Sequence, residues 1–205
     1  MVTEKKLDFW IKHNLNVLFI GEKGIGKSAI VIDAFERNKL RWKYYSTPTL
    51  DPYIDVIGIP RELKDKDGNS YLDLLKPREW QDDAVEAVFF DEFNRGHKKI
   101  RNAVLELIQF KSINGRKFKN LRFIWAAVNP SDSARKYNVE ELDDAQLDRF
   151  QIHVKLPYKP DSSYFAAKFE DKGRAAIEWW NKIDEKLKHL VSPRRLDYAL
   201  EHYKR

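Results

Sequence analysis

Hydrophobic residues along the chain fall into short runs that alternate with longer segments of helical pattern. Five runs rich in aliphatic and aromatic residues predict β-strands at Leu15–Ile20, Trp42–Ser46, Ala87–Phe90, Phe123–Val128 and Gln151–Leu156. The segments between them predict helices at Ser28–Asn38, Gly96–Phe110 and Glu140–Leu147. Buried strands that alternate with helices are typical of an α/β domain with a largely parallel sheet. The pattern therefore predicts an α/β fold.

The pattern changes after the segment Pro157–Pro160. From Asp161 to Arg205 it is helical throughout, with Asp161 and Ser162 as candidate N-caps and Pro193 at the start of a final helix. We therefore predict an α/β domain at residues 1–157 and a small α-helical unit at residues 158–205. A unit this short buries little apolar surface by itself, so it must pack on the α/β domain or on a neighbouring molecule.

Two short segments inside the α/β part predict β-hairpins. Asn114 and Gly115 form the dipeptide that most strongly favours a two-residue hairpin turn, and the runs on either side could pair. Asp67–Asn69, in the polar stretch Arg61–Ser70, is a weaker signal of the same kind.

Composition limits the classes of protein to which the chain can belong. Of its 205 residues, 42% are hydrophobic, which excludes wholesale disorder. It has no cysteine, so disulfides, zinc ribbons and thiol catalysis are excluded. The five histidines are widely separated, and we expect no metal held by protein side chains alone. Lysine and arginine (38) exceed aspartate and glutamate (32), and this net charge of +6 permits a polyanionic partner without requiring one.

The apolar pattern does not predict membrane insertion. Phe123–Val128, the longest strongly apolar run, is far shorter than the roughly 20 residues that span a bilayer. The first ten residues carry acidic side chains and lack the apolar stretch of a secretory signal. We therefore expect a soluble cytoplasmic protein with no membrane partner.

The segment Gly21–Ser28 reads G-E-K-G-I-G-K-S and fits the pattern G-x-x-x-x-G-K-[ST] without a mismatch. It follows a predicted strand and opens a predicted helix, which is the context that a phosphate-binding loop requires. Glycines let successive backbone N–H groups point at phosphate oxygens, while Lys27 would reach the β- and γ-phosphates and Ser28 would ligate Mg²⁺. The predicted nucleotide-binding residues are Gly21, Gly24, Ile25, Gly26, Lys27, Ser28 and Ala29.

The predicted strand that begins at Ala87 ends in two acidic residues. Asp91, at the carboxyl end of a buried strand, can bind the Mg²⁺ that accompanies the nucleotide, so Ser28 and Asp91 are the predicted metal ligands. Glu92 can orient a water molecule and take its proton, which makes it the candidate general base.

Together these segments resemble the AAA+ ATPases, and more closely their MoxR-type branch, which includes dynein-related and CbbQ/NirQ-like proteins. Asp91–Arg95 (D-E-F-N-R) is similar to the D-E-x-N-R of that branch, and Ala126–Pro130 (A-A-V-N-P) to its A-T-x-N-P. Glu141–Phe150 resembles its E-A-x-L-D-R-F, and Ser192–Arg194 its S-P-R. The matches occur in the order of the family and extend from residue 15 to residue 195.

The resemblance implies a fold and further site residues. The fold would be a P-loop core with a five-stranded, mostly parallel sheet, followed by a small C-terminal α-helical lid. Asn129 would be the sensor 1 residue, which helps Glu92 to place the attacking water. Arg149 would be the arginine finger that enters the nucleotide site of the adjacent subunit. Arg194 would be sensor 2, although its neighbour Arg195 is equally basic.

Several alternatives stay open at this point. Arg95 could face the junction between subunits or form a structural salt bridge. The resemblance also implies that the Asn114–Gly115 hairpin and the segment Ile59–Leu75 face the central channel of a ring, where the basic hairpin could contact a client.

The resemblance implies an ATP hydrolase, with ATP and Mg²⁺ as cofactors, that forms a homo-oligomeric ring, six subunits being the expected number. The leading hypothesis for the function of this chain is the remodelling or loading of a protein client. The alternative is a DNA-directed motor or loader that acts in replication or packaging. A third hypothesis is a nucleotide-gated assembly factor that hydrolyses ATP slowly or not at all. Against it stands the presence of the residues that hydrolysis needs, Lys27, Asp91, Glu92 and Arg149.

Overall fold

The computed structural model describes residues 2–77, 84–130 and 141–204. Its strands are β1 (Val17–Ile20), β2 (Trp42–Ser46), β3 (Ile59–Lys64), β4 (Ser70–Leu75), β5 (Ala87–Asp91), β6 (Ser112–Ile113), β7 (Arg116–Lys117), β8 (Phe123–Val128) and β9 (Ile152–Lys155). Its α-helices are α1 (Glu4–Lys12), α2 (Lys27–Arg37), α3 (Lys98–Phe110), α4 (Asp144–Leu147), α5 (Ser162–Lys182), α6 (Glu185–Leu190) and α7 (Pro193–Lys204).

The central sheet has five strands in the order β2-β5-β8-β1-β9, and all four neighbouring pairs are parallel. This confirms the predicted α/β class and the five predicted strands. Every residue of β8, the middle strand, is buried. A strand covered by helices on both faces must be apolar throughout, which explains why its sequence does not alternate.

Two hydrophobic cores lie on opposite faces of the sheet, because successive side chains of a strand point in opposite directions. Leu18 packs in the core that contains the apolar face of α3. Phe19, the next residue, packs with α1 and α2 around Trp125. The face of α3 that packs on the sheet is formed by five buried apolar residues at helical spacing: Ile100, Ala103, Val104, Leu107 and Ile108.

Two of the helices differ from the prediction. The sequence predicted a helix at Glu140–Leu147, but α4 covers only Asp144–Leu147, while Glu140 lies outside the described residues. The helix starts late because the Asp143 carboxylate accepts the N–H of Gln146 at 2.8 Å, and the Gln146 side chain accepts the N–H of Asp143 at 3.2 Å. This reciprocal cap fixes the first helical residue. Helix α1 was not predicted; its buried Leu7 and Ile11 are four positions apart.

Both predicted hairpins are present. β3 pairs with β4 and β6 with β7, each antiparallel. The turn between β6 and β7 has Asn114 at φ 48° and Gly115 at φ 73°. Positive φ angles at both central residues match a two-residue turn to the right-handed twist of the flanking strands. In the first turn, the Asp65 carboxylate accepts the N–H groups of Asp67 and Asn69, both at 2.9 Å.

The residues after Pro160 form three helices with a small core of their own. Phe165, Phe169, Trp180 and Leu196 are buried in it. The helical pattern is interrupted inside α5, where Glu170 has φ 53° and ψ −128°. The domain boundary near residue 158 stays a prediction. Among the described residues, none of the helices is both long and apolar enough to cross a bilayer.

One buried lysine leads to a prediction for the pH dependence of stability. Lys111 ends α3, and its ammonium donates to the carbonyl of Ile108 at 2.6 Å and to Asn16 Oδ1 at 3.3 Å. Burial lowers the pKa of Lys111 to about 8. Below that pH the side chain is protonated in both states, and the folded state carries the full free-energy cost of a buried cation. Between pH 8 and the ordinary lysine pKa, the folded protein loses this proton while the unfolded chain keeps it, so the free energy of unfolding rises with pH.

We therefore expect wild type to gain stability relative to Lys111→Met between pH 7.5 and pH 9.5, by on the order of 1 kcal/mol. Urea unfolding of both proteins at the two pH values measures this difference. The comparison cancels the titration of every other group. Equal pH dependence of the two proteins would show that Lys111 is not desolvated.

Candidate nucleotide site

The order of the strands brings three segments of the chain to one edge of the sheet. The carboxyl ends of β1, β5 and β8 lie side by side because these strands are parallel neighbours, with Ile20 opposite Val128 and Phe90 opposite Ala126. The loop after β1, the acidic pair at the end of β5 and the asparagine after β8 therefore meet. This edge is where ligands bind in parallel α/β sheets.

The loop after β1 has the backbone geometry of a phosphate cradle. Gly24 has φ 78° and Gly26 has φ 90°, conformations that other residues adopt only with strain. Gly26 directly precedes α2 and has no side chain, so the amide groups in the first turn of α2 have no side-chain cap. Uncapped amides at a helix N-terminus attract anions.

Lys27 lies at the centre of this loop, and its side chain is buried. Its ammonium donates to the carbonyls of Gly21 at 2.7 Å and Glu22 at 2.8 Å, and to Asn129 Oδ1 at 2.9 Å. Burial lowers the pKa of Lys27 to about 8, although the carboxylates of Asp91 and Glu92 oppose the shift. The ammonium is thus charged at neutral pH and is held by neutral acceptors that a phosphate can displace.

Asp91 and Ser28 are in direct contact. The Ser28 hydroxyl donates to Asp91 Oδ2, and the N–H of Glu92 donates to Asp91 Oδ1 at 2.9 Å. A hydroxyl and a carboxylate are the oxygen ligands that Mg²⁺ prefers. The two predicted metal ligands therefore fit a shared ion.

Tyr44 was not predicted as a site residue. Its hydroxyl lies 3.4 Å from Asp91 Oδ2, and its ring packs on Phe89. Burial raises the pKa of Tyr44, and the charge of Asp91 adds to this shift. The sequence showed it only as a residue of a predicted strand, because its approach to Asp91 depends on the pairing of β2 with β5.

Glu92 adopts an unusual backbone conformation, with φ 52° and ψ 40°. Its carboxylate forms an ion pair with Arg95, with 2.6 Å between Oε2 and Nη1. Of the two alternatives for Arg95, the structure therefore contains a salt bridge within the chain. Both side chains are partly exposed to solvent.

Asn129 is held by Asn94, a second residue that was not predicted for the site. Asn94 Nδ2 donates to the carbonyl of Asn129 at 2.8 Å, and the N–H of Asn129 approaches Asn94 Oδ1 at 3.4 Å. Both asparagines are buried. Asn94 belongs to the segment D-E-F-N-R that matched a family motif, so the sequence indicated that the residue could matter. It did not indicate that Asn94 contacts Asn129, which lies 35 positions later.

The two candidate sensor 2 arginines occupy different environments. The N–H of Arg194 donates to the carbonyl of Gly24 at 3.0 Å, and the charge of Arg194 contributes to lowering the pKa of Lys27. The Arg195 guanidinium instead donates to the carbonyl of Leu190, at the end of α6, at 2.7 Å. Arg194 is thus the one beside the phosphate-binding loop.

The described hydrogen bond of Arg149 is made outside this group of residues. Its guanidinium donates to the carbonyl of Ala145 in the preceding helix, while its Nε is buried without a hydrogen-bond partner. Within the described residues, Arg149 forms no hydrogen bond or salt bridge with the phosphate-binding loop of the same chain.

A cavity of about 310 Å³ adjoins the loop. Ile25 of the loop forms one wall, and the other walls come from α1, α2, β9 and the segment that leads into α5. Its apolar lining includes Trp10, Ile30, Leu156, Pro157 and Pro160.

No protein-family model matches the sequence. No curated protein matches it either. The structure is similar to that of a protein assigned as an ATPase from Cytophaga hutchinsonii, with a TM-score of 0.55 and 21% identity over 92% of this chain and 60% of the other. It is also similar to Thermotoga maritima RuvB, described as a Holliday junction branch migration motor, with a TM-score of 0.57 and 15% identity over 97% of this chain and 59% of RuvB.

The chain thus spans about three fifths of the length of these proteins. At such low identity the likeness shows the fold alone, which is the AAA+ P-loop ATPase fold.

Proposed function

We propose that this chain binds ATP with Mg²⁺ at the loop Gly21–Ser28 and hydrolyses it. One observation carries the proposal: the buried Lys27 ammonium, the Ser28–Asp91 pair, Asn129 and the start of α7 meet around a single loop. These groups supply the cationic and metal-binding functions that phosphoryl transfer needs.

In the proposed mechanism, the Lys27 ammonium moves from the carbonyls of Gly21 and Glu22 to the β- and γ-phosphates. Ser28 and Asp91 would hold Mg²⁺, which would supply positive charge beside the phosphates. Glu92 takes a proton from a water molecule whose oxygen bonds to the γ-phosphorus, while the bond to the ADP oxygen breaks. Asn129 orients this water. Arg194 stabilises the charge that develops on the γ-phosphate.

The cavity beside Ile25 is the proposed site of the adenine base. Its position next to the loop suits a base attached through the ribose to phosphates in the cradle, and its apolar walls suit a flat aromatic ring. Because Pro157 and Pro160 lie in the segment that leads to the helices after β9, nucleotide binding there would also fix these helices relative to the sheet.

We further propose that the protein works as a ring, in which Arg149 completes the nucleotide site of the neighbouring subunit. The support is the described hydrogen bond of Arg149, which is made to Ala145 in the preceding helix α4 and not to its own phosphate-binding loop. Six subunits are the expected number, as the resemblance to the MoxR-type branch implies.

A protein client is the proposed target. The hairpin β3–β4 exposes large apolar side chains, of which Leu72 is 77% exposed and Ile59, Tyr71 and Leu75 about half exposed. Ile59, Tyr71 and Leu75 lie on one face of this hairpin, because Ile59 pairs with Leu75 and Tyr71 lies four residues before Leu75 in the same strand. Exposed apolar groups on one face are typical of a protein contact. This observation favours a client-remodelling ATPase of MoxR type over a DNA-directed motor.

The alternative is a DNA-directed motor or loader. It is supported by the similarity to RuvB, described as a branch migration motor, and by the exposed Lys117 and Lys119 at the hairpin β6–β7. Stimulation by DNA decides between these two proposals, and a separate measurement tests for the ring that both of them include. Light scattering with and without ATP tests for the ring, which we expect only with ATP. Phosphate release in the presence of DNA should stay within about twofold of the basal rate, whereas a DNA motor should be stimulated roughly tenfold or more.

The two adjacent arginines provide a matched test of the site. We expect Arg194→Ala to lower ATP turnover at least about tenfold, because a cation beside the γ-phosphate is lost. Arg195→Ala should leave turnover within about twofold, because Arg195 faces the end of α6. Both proteins should have similar melting temperatures. The reverse order of effects would assign the sensor role to Arg195.

A further inference from the structure

Two hairpins extend the α/β unit beyond its central sheet, and one guanidinium joins them. Arg116, in β7, donates through Nη1 to the carbonyl of Leu74 at 2.5 Å and forms an ion pair through Nη2 with Asp73; both of these acceptors lie in β4. The side chains of Arg116 and Asp73 are about one-third exposed. A second contact lies nearby, where the Lys76 ammonium sits 5.5 Å from the centre of the Phe118 ring.

Among the described residues, the hairpin β3–β4 packs little of its surface against the rest of the chain. It is a sheet of two strands, and most of its side chains are exposed. Isolated two-stranded sheets are marginally stable in water. At its base Gly58 has φ 105°, and a Cβ there would lie 2.7 Å from the carbonyl oxygen of Leu75. The close approach of the two strands at the base and the contact with Arg116 therefore hold it in place.

Helix α3 is bonded to the hairpin β6–β7 and to the helical turn that precedes β3. The Glu106 carboxylate accepts the N–H groups of Asn114 at 3.1 Å and Gly115 at 3.2 Å, so it holds the turn between β6 and β7. Lys99, in the first turn of α3, donates to the Tyr53 hydroxyl at 3.0 Å and lies over its ring. Tyr53 belongs to the helical turn Pro52–Ile57, which leads directly into β3.

The N-terminal end of α3, which also carries Lys99, lies next to the nucleotide site. The short turn Phe93–Arg95 follows Glu92 and leads into α3 after two residues. Phe93 and Asn94 in this turn are buried, and Asn94 is bonded to Asn129. A displacement of this turn therefore displaces α3 together with the groups that hold both hairpins.

We propose that α3 and the two hairpins form one rigid body, and that the contact of Arg116 with β4 is the joint that attaches β3–β4 to this body. When nucleotide binding displaces the turn Phe93–Arg95, the body transmits this displacement to both hairpins. The joint itself does not depend on nucleotide. The transmission rests on the function proposed above. Arg116 is thus a positioning residue for the apolar hairpin that would contact the client.

Hydrogen–deuterium exchange without nucleotide tests the joint. We expect Arg116→Ala to speed amide exchange in β3 and β4 by about tenfold, although the substitution lies in the other hairpin. Lys117→Ala is the matched control, because it removes one exposed positive charge from the same strand, and exchange in β3–β4 should change less than about twofold. Equal exchange in the two variants would overturn the joint.

A second pair of variants guards against an effect of Arg116→Ala on folding. Asp73→Asn removes the ion pair but keeps the shape of the side chain, and it should speed the same amides. The variant with both substitutions should exchange no faster than Arg116→Ala alone, because the two residues act through one contact. Additive effects would show that Arg116 and Asp73 act separately.

A non-hydrolysable ATP analogue with Mg²⁺ tests the transmission. In wild type the analogue should change exchange in both hairpins. In Arg116→Ala the change should persist in β6–β7 and become smaller in β3–β4, where only the contact of Lys99 with Tyr53 remains. A response of β3–β4 as large as that of wild type would overturn the transmission through Arg116. If wild type does not bind the analogue, the proposed function fails, while the experiment without nucleotide still decides the joint.

Discussion

Glu92→Gln protein should bind ATP with Mg²⁺ as tightly as wild type and hydrolyse it at least about 100-fold more slowly. The amide has nearly the shape of the carboxylate and can still accept from Arg95, but it cannot take a proton from water. The neighbouring ligands Ser28 and Asp91 are unchanged. Titration with a fluorescent ATP analogue measures binding, and phosphate release measures turnover.

Lys27→Ala provides the contrast. Removal of the buried ammonium takes away the cation at the centre of the loop, so nucleotide binding itself should be lost. The two substitutions thus separate binding from chemistry at residues that lie in one site. A Glu92→Gln protein that hydrolyses ATP at the wild-type rate would remove Glu92 from the catalytic role.

The second large effect concerns Arg149. Arg149→Ala should abolish most turnover, because each nucleotide would lose the cation supplied by the neighbouring subunit. Arg174→Ala is a suitable control, since Arg174 is an exposed arginine paired with Asp171, and it should keep wild-type turnover. Similar loss in both variants would point to a general effect of surface charge.

Mixing two inactive proteins tests whether Arg149 acts between subunits. A junction is productive when a subunit with intact Glu92 receives the arginine of a subunit with intact Arg149. In a randomly mixed equimolar ring of Arg149→Ala and Glu92→Gln subunits, about a quarter of the junctions meet this condition, so partial activity should return. The estimate assumes that junctions act independently.

Subunit exchange must be demonstrated in the same samples, for example by energy transfer between labelled proteins. With exchange demonstrated, the absence of rescue at any mixing ratio would mean that Arg149 does not act in trans. Full activity of Arg149→Ala alone would mean that it is an ordinary surface cation.

Local sequence patterns determined the main elements of this protein. Runs of apolar residues predicted all five strands of the central sheet, and the spacing of glycines with Lys27 and Ser28 predicted the phosphate-binding loop. These features depend on residues a few positions apart, since strand burial, helix faces and the curl of a glycine loop are local properties of the chain. For the same reason the Asn114–Gly115 turn was predictable.

The tertiary structure alone decided which distant residues meet. Lys27 contacts Asn129 across 102 positions because β8 pairs with β1, and Arg116 contacts Asp73 across 43 positions because two hairpins lie side by side. The position of Arg194 beside Gly24, and of Arg195 at the end of α6, likewise follows from the packing of α7 on the loop. No periodicity records such contacts, because they depend on the order of the strands and the docking of helices, which arise only when the separate apolar faces are buried together.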